Sequence, residues 1–193
     1  ETGSGKKGKL SIGVNTLSNY DLPRFLKTFQ KRYPGVSYKI QQNESAQLCK
    51  LLKDRVIDLA IVRLPLELDE FDAISLKPEP FYFVTADSSL IMSSSVAFEE
   101  LTDVPLIIPS TEGLGLYNKI YSAFTSRGLS PDIMCECSDI SILFDLVSSK
   151  FGSTIVPETA VRLNSLKDLH VYLVEDTKEL GESGVIFIKN HYL

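Results

Sequence analysis

Residues 9–34 read Lys-Leu-Ser-Ile-Gly-Val-Asn-Thr-Leu-Ser-Asn-Tyr-Asp-Leu-Pro-Arg-Phe-Leu-Lys-Thr-Phe-Gln-Lys-Arg-Tyr-Pro, and their pattern decides the fold. Leu10 to Val14 is a short apolar strand. It runs into a loop carrying hydroxyls and amides at Asn15, Thr16, Ser18 and Asn19. An amphipathic helix then opens near Pro23, because Leu22, Phe25, Leu26 and Phe29 fall at i, i+3, i+4 and i+7. Tyr33-Pro34-Gly35 ends it, since proline cannot continue a helix and glycine permits the turn. In an open α/β sheet, small ligands sit in the crevice beyond the carboxyl end of such a strand. The loop offers hydrogen-bonding side chains without a catalytic dyad, which points to a receptor before an enzyme.

Working outward, Val36 to Gln41 alternates apolar and polar residues like a strand. Ser45 can cap a helix whose inner face is Leu48, Leu51 and Leu52, and Ile57 to Val62 is a buried strand ending in Arg63-Leu64-Pro65. That βαβαβ series predicts a parallel sheet with right-handed crossovers. Residues 66–80 are acidic and carry Pro78 and Pro80, and read as a surface connection into the strand Phe81 to Thr85. A second α/β series follows. Leu106 to Ile108 is a strand, Pro109 to Gly115 a polar loop, and Leu116, Ile120, Tyr121 and Phe124 one helical face closed by Gly128. Ile133 to Cys137 is a strand, Asp139 caps a helix with Ile140, Leu143, Phe144 and Val147 inward, and strands recur at 154–156, 171–174 and 185–188. The expected fold is α/β: two Rossmann-like subdomains joined by two crossover strands. Residues 1–8 are a linker, 9–80 with 185–193 the first subdomain, and 81–184 the second. Two crossings make a hinge pair, and a cleft between hinged lobes is a natural ligand site.

Composition narrows the chemistry. The 193 residues are 44% hydrophobic and 23% charged, enough for a folded core. A net charge of −5 argues against a nucleic-acid-binding surface, and the absence of Trp against a stacking platform. Cys49, Cys135 and Cys137 lack the second pair or the nearby histidines of a zinc site, so no metal and no cofactor is expected and the cysteines read as idle. Gly113-Leu114-Gly115 lacks the lysine of a phosphate loop and the third glycine of a dinucleotide turn. There is no Gly-x-Ser-x-Gly elbow, no His-Glu-x-x-His, and the two histidines give no triad, so the chain does not read as an enzyme. No apolar run approaches a membrane span, and the N-terminus has no apolar core of a signal peptide. A cytoplasmic location and no membrane partner are expected. The Gly/Ser-rich start and the absence of a closing helix suggest a fragment of a longer chain.

The order of these signals resembles the effector-binding domain of LysR-type bacterial transcriptional regulators, whose fold is that of type 2 periplasmic binding proteins. The resemblance rests on Gly8-Lys9-Leu10-Ser11-Ile12-Gly13, on Leu22-Pro23-Arg24-Phe25-Leu26-Lys27-Thr28-Phe29 ahead of Tyr33-Pro34, and on Leu51-Leu52-Lys53 with Ile57-Asp58-Leu59-Ala60-Ile61. It continues through Leu101 to Ile108, Gly128-Leu129-Ser130-Pro131, and Val147 through Gly152 to Ile155-Val156-Pro157. The resemblance implies a sensor that binds a small effector between its lobes. It implies a homodimer, a tetramer in the full-length form, and DNA contact only through an N-terminal helix-turn-helix that this chain lacks. A solute-binding protein of a transporter is the alternative, and a lyase on the same scaffold is a more distant one.

Candidate ligand contacts follow. Arg63 lies just past the strand 57–62, at a position that in the family often faces the effector, and its guanidinium suits a carboxylate, sulfonate or phosphate. The effector is therefore expected to be a small organic anion. A structural ion pair with Glu67 or Asp69 is the competing reading. Thr16, Leu17, Ser18 and Asn19 follow the first strand, and the resemblance makes the Thr16 hydroxyl an anchor. Helix capping by Ser18, Asn19 or Asp21 competes. Ser45 carries the same ambiguity. Ser110, Thr111 and Ser138 are the second-lobe candidates, with Asp139 read as a helix cap.

Overall fold

A computed structural model describes residues 7–15, 17–18, 21–90, 93–110 and 115–189. The chain forms two compact units, Glu1–Lys77 with Glu182–Leu193, and Pro78–Gly181.

The first unit holds β1 (Lys7–Asn15), α1 (Leu22–Arg32), β2 (Gly35–Asn43), α2 (Ser45–Lys53), β3 (Leu59–Arg63), β4 (Phe71–Ser75) and, from the far end of the chain, β11 (Ser183–Ile188). The sheet order is β2-β1-β3-β11-β4. β1 is parallel to β2 from Lys7↔Gly35 to Asn15↔Asn43, and parallel to β3 at Ile12↔Leu59. β11 is antiparallel to both its neighbours, pairing Ser183↔Arg63 and Gly184↔Ser75. The strand period of two sorts the residues onto two faces. Leu48 and Leu52 of α2 pack with Ile57, Ala60, Val62, Phe71 and Ile186 on one side. Ile12, Val14 and Ile61 pack with Leu22 and Leu26 of α1 and with Tyr38 on the other. Gly13 faces α2, and its lack of a side chain lets Leu48 and Ile57 close onto the strand.

Three expectations change here. Residues 66–80 contain a strand, β4. It was hidden because only Phe71 is buried while the next four residues are exposed, the signature of an edge. The strand expected at 57–62 begins at Leu59, because Asp58 turns aside to Ser11: Ser11 N donates to Asp58 Oδ2 at 2.7 Å and Asp58 N to Ser11 O at 2.8 Å. Arg63 is consequently the last residue of β3. The apolar stripe of α1 is wider than its contact with the sheet, for Phe25 is 52% and Phe29 38% exposed.

The second unit contains β5 (Phe81–Thr85), β6 (Ser95–Val96), a 3₁₀ turn at Phe98–Leu101, β7 (Leu106–Ile108), α3 (Gly115–Thr125), β8 (Ile133–Glu136), α4 (Ile140–Ser148), β9 (Ser153–Pro157), α5 (Glu158–Leu163) and β10 (His170–Val174). Its order is β6-β10-β5-β9-β7-β8. β7 is parallel to β8 and β9, while β5 is antiparallel to β9 and β10. Phe81, Phe83, Phe98 and Phe124 fill the core, with Phe98 edge-on to Phe124 at 4.9 Å and covered by the Arg127 guanidinium. β6 and α5 are too short to give a periodic signal in the sequence. Tyr121 departs from the expected inner face of α3 and is exposed, while Leu116, Ile120 and Phe124 are buried. No helix among the described residues is long and apolar enough to cross a membrane.

Candidate functional site

At the carboxyl edge of the first sheet, three segments meet on one oxygen. Asn15 closes β1, Ser45 opens α2 and Arg63 closes β3. The Ser45 Oγ accepts from Asn15 Nδ2 at 2.7 Å and from the Arg63 backbone N–H at 3.3 Å. Two acceptances leave the hydroxyl proton to be donated elsewhere. Asn15 is 4% exposed and Arg63 3% exposed, so both are built into the protein rather than laid on it. The helix-capping role expected for Ser45 falls to Glu44, which occupies the N-cap with no side-chain cap hydrogen bond, while Asn43 Oδ1 accepts from the Glu44 N–H at 2.9 Å. Ser45 is freed from the cap because its hydroxyl ties strands together. The first turn of α2 therefore presents backbone N–H groups at this edge, an environment that favours negative charge.

The loop after β1 is held by the same cluster. Ser18 N donates to Asn15 O at 3.1 Å, and Ser18 Oγ lies 3.5 Å from Asn15 Oδ1. Arg63 Nη2 donates to the Leu17 carbonyl at 2.6 Å. Leu17 has φ of 61°, a left-handed conformation unfavourable for a leucine, and it turns that carbonyl to the guanidinium. Burial pushes the Glu44 carboxyl above the usual carboxylate range, and the positive charge of Arg63 acts against that rise.

The structure thus brings Leu17, Ser18, Ser45 and Arg63 together. Thr16, Asn19 and Thr111 lie outside the described residues. In the second unit, Ser110 follows β7 and is 4% exposed, its Oγ without a hydrogen-bond partner among the described residues. Ser138 is exposed ahead of α4, and Asp139 caps that helix through Ile142 N at 2.9 Å. Asn15 and Glu44 are the residues the sequence reading did not single out as contacts. Each stands beside a residue it did choose, but only the fold shows that Asn15 is the buried tie and that Glu44 feels Arg63. The three cysteines are free and half-buried, and burial raises the thiols of Cys49 and Cys135, which favours their protonated form. Among the described residues no three His, Cys, Asp or Glu side chains gather as a metal site.

Comparison with known proteins gives these features a context. A family model described as the LysR substrate binding domain matches residues 3–191. The HTH-type transcriptional regulator BsdA of Bacillus subtilis (strain 168) is 28% identical over 188 residues, covering 96% of this chain and 65% of that protein. The chain thus spans just under two thirds of that curated relative. Among solved structures, a Corynebacterium glutamicum OxyR C206 mutant superposes with a TM-score of 0.86 at 26% identity, covering 98% of this chain and 60% of that one. The BenM effector binding domain with its effector benzoate gives a TM-score of 0.85 at 18% identity, covering 95% and 84%, a likeness of fold.

Proposed function

The chain belongs to the LysR substrate-binding domain family, and from that premise we propose that it is the effector-sensing domain of a LysR-type DNA-binding transcriptional regulator, not an enzyme, working in the cytoplasm. Its effector is a small organic anion. The observation that carries this reading is Arg63, a guanidinium buried at the carboxyl edge of a parallel βαβαβ sheet beside the open first turn of α2. A ligand carboxylate, sulfonate or phosphate is a matching guest for a guanidinium fork. Ser45 and Ser18 supply hydroxyls beside it, and Thr16 and Asn19 are further candidate contacts. Ser110, Thr111 and Ser138 are the candidate contacts carried by the second unit.

DNA contact belongs to a helix-turn-helix outside this sequence, and the regulator assembles as dimers and, at full length, tetramers. Exposed apolar side chains suit a second copy of the chain: Phe25 and Phe29 on α1, Ile40 on the edge strand β2, Tyr121 on α3 and Met134 on the edge strand β8. The effector acts through its different affinity for two arrangements of the protein.

Calorimetric titration with a panel of small organic acids tests the anchor. A binder should lose about 2–5 kcal/mol in Arg63→Ala. Arg63→Lys, which keeps the charge but not the fork, should lose part of that, provided circular dichroism shows both variants folded. Equal affinity in all three proteins would refute the role of Arg63.

A further inference from the structure

We propose that Cys135 and Cys137 form a two-thiolate site for a soft monovalent cation, with cuprous ion as its probe, on one face of β8. The site belongs to the second unit and uses none of the residues assigned to the anion, so it stands or falls independently of that reading.

β8 is the outermost strand of its sheet, beside β7. Ile107 pairs with Cys135 and Ile108 with Glu136, and Cys137 N donates to Ile108 O at 3.0 Å, so the ladder runs on through Cys137. Residues two apart on a strand share a face. Burial follows that alternation: Ile133, Cys135 and Cys137 are half-buried, while Met134 and Glu136 are exposed. The sulfurs are also oriented. Cys135 Sγ lies 3.8 Å from the carbonyl oxygen of Glu136, in the peptide group that leads to Cys137, and so leans along the strand toward its partner. The Cys137 thiol donates to the Asp139 carbonyl at 3.3 Å, at the N-cap of α4. Burial raises the Cys135 thiol, and the neighbouring Cys137 adds to the rise.

Distance decides what such a pair can hold. Two residues apart on a strand, Cα atoms are separated by about 6.6 Å. That is near the upper end for a disulfide, which usually spans about 5.5–6 Å between Cα atoms and brings the sulfurs to about 2 Å. A bridging ion adds two metal–sulfur bonds of about 2.3 Å each, so the sulfurs need not meet. Ligand number then selects the ion. Among the described residues no group of three His, Cys, Asp or Glu forms here, which leaves zinc short of its four ligands. A soft monovalent ion is content with two thiolates in line. Binding breaks two S–H bonds and forms two metal–sulfur bonds. Both protons pass to solvent, no electron is transferred, and the complex carries one negative charge. Cys49 is an internal control, alone on α2 and packed against the core of the first unit.

The test is titration of this chain with cuprous ion under argon, in competition with the chelator bicinchoninate. Wild type, Cys135→Ser, Cys137→Ser and Cys49→Ser are compared, each first shown folded by its thermal transition. Wild type and Cys49→Ser should take one equivalent with the same affinity. The other two should each bind about a hundredfold or more weakly, since losing even a supporting group around a metal costs roughly 10–100-fold. A second readout needs no variant. Cuprous ion should protect Cys135 and Cys137 of the wild-type chain from alkylation by iodoacetamide, mapped by peptide mass, and leave Cys49 labelled as before. Weakening confined to one of the two cysteines, protection of Cys49, or wild type binding no more tightly than the double serine variant overturns the proposal. If the pair takes no copper yet closes to a disulfide under oxidised glutathione, seen as the loss of two hydrogens in mass, the thiols are a redox couple and the cation site falls.

Discussion

Substituting Gly13 by alanine probes how α2, and with it Ser45, is held against the sheet. A Cβ at this position would lie 2.5 Å from Leu48 Cδ2, 2.7 Å from Ile57 Cδ1 and 3.5 Å from Ala60 Cβ. Carbon atoms prefer about 3.5–4.0 Å, so the first two must each retreat by about 1 Å. Both are ends of flexible side chains, which normally give way. Here Leu48 is 0% and Ile57 3% exposed, so each would have to move into occupied space. Overpacking of this kind costs about 1–3 kcal/mol. Removing a glycine from a strand returns roughly 0.5–1 kcal/mol through lower chain entropy. The net expectation is a loss of about 1–2 kcal/mol. Native-state hydrogen exchange at the amides of β1 and α2 assigns the loss to the first unit rather than to the whole chain. The Leu48→Ala variant closes a double-mutant cycle: alone it costs about 2–5 kcal/mol by leaving a cavity. Combined with Gly13→Ala it should cost less than the sum, by about 1 kcal/mol, because the new methyl enters the vacated space. A Gly13→Ala protein as stable as wild type, or strictly additive costs, would refute this account of the packing.

Three other expectations follow from single features. At Gly181 an added Cβ would run into the backbone carbonyl of Glu79, whose own N–H donates to Gly181 O at 3.2 Å, and backbone cannot step aside as a side chain does. Gly181→Ala should therefore lose more than about 3 kcal/mol, read as a collapse of the thermal transition. Phe25→Ser with Phe29→Ser should lower self-association in sedimentation while shifting the denaturation midpoint little, since both rings are more than a third exposed; unchanged association would remove α1 from the dimer surface. Glu44 gives a pH signature. Its folded carboxyl is raised above the ordinary value of 4.5, so its stabilising contribution is complete below that value and is lost as pH rises through the higher folded one. Wild type should gain stability relative to Glu44→Gln as pH falls through the window just above 4.5, and a flat difference would contradict that burial.

The parts of the fold that announced themselves were those with a complete period. Leu48 and Leu52 mark the buried side of α2, and Leu143, Phe144 and Val147 that of α4. β4 was illegible because its partner β11 lies more than a hundred residues away and its outer residues carry no alternation. The stripe on α1 gave the right helix but could not tell side chains packed on the sheet, Leu22 and Leu26, from rings left outside, Phe25 and Phe29. At the site, Arg63 was legible from its place at the end of an apolar strand. Ser45 was legible as a polar residue before a helix but not in its task, since its bond to Arg63 N spans 18 residues and depends on β3 lying beside β1. Glu44 carried no sequence signal at all, because its meaning is the charge that the fold sets near it.

The sheet order β2-β1-β3-β11-β4 places a strand from late in this sequence, β11, inside the first unit, between β3 and β4. During synthesis the ribosome completes Pro78–Gly181 as an unbroken stretch, while the unit begun earlier still waits for Ser183–Ile188 to emerge. Until then β3 offers a bare hydrogen-bonding edge and β4 has no strand to join. A chain cut short before residue 183 therefore leaves β3 and β4 without the strand that lies between them.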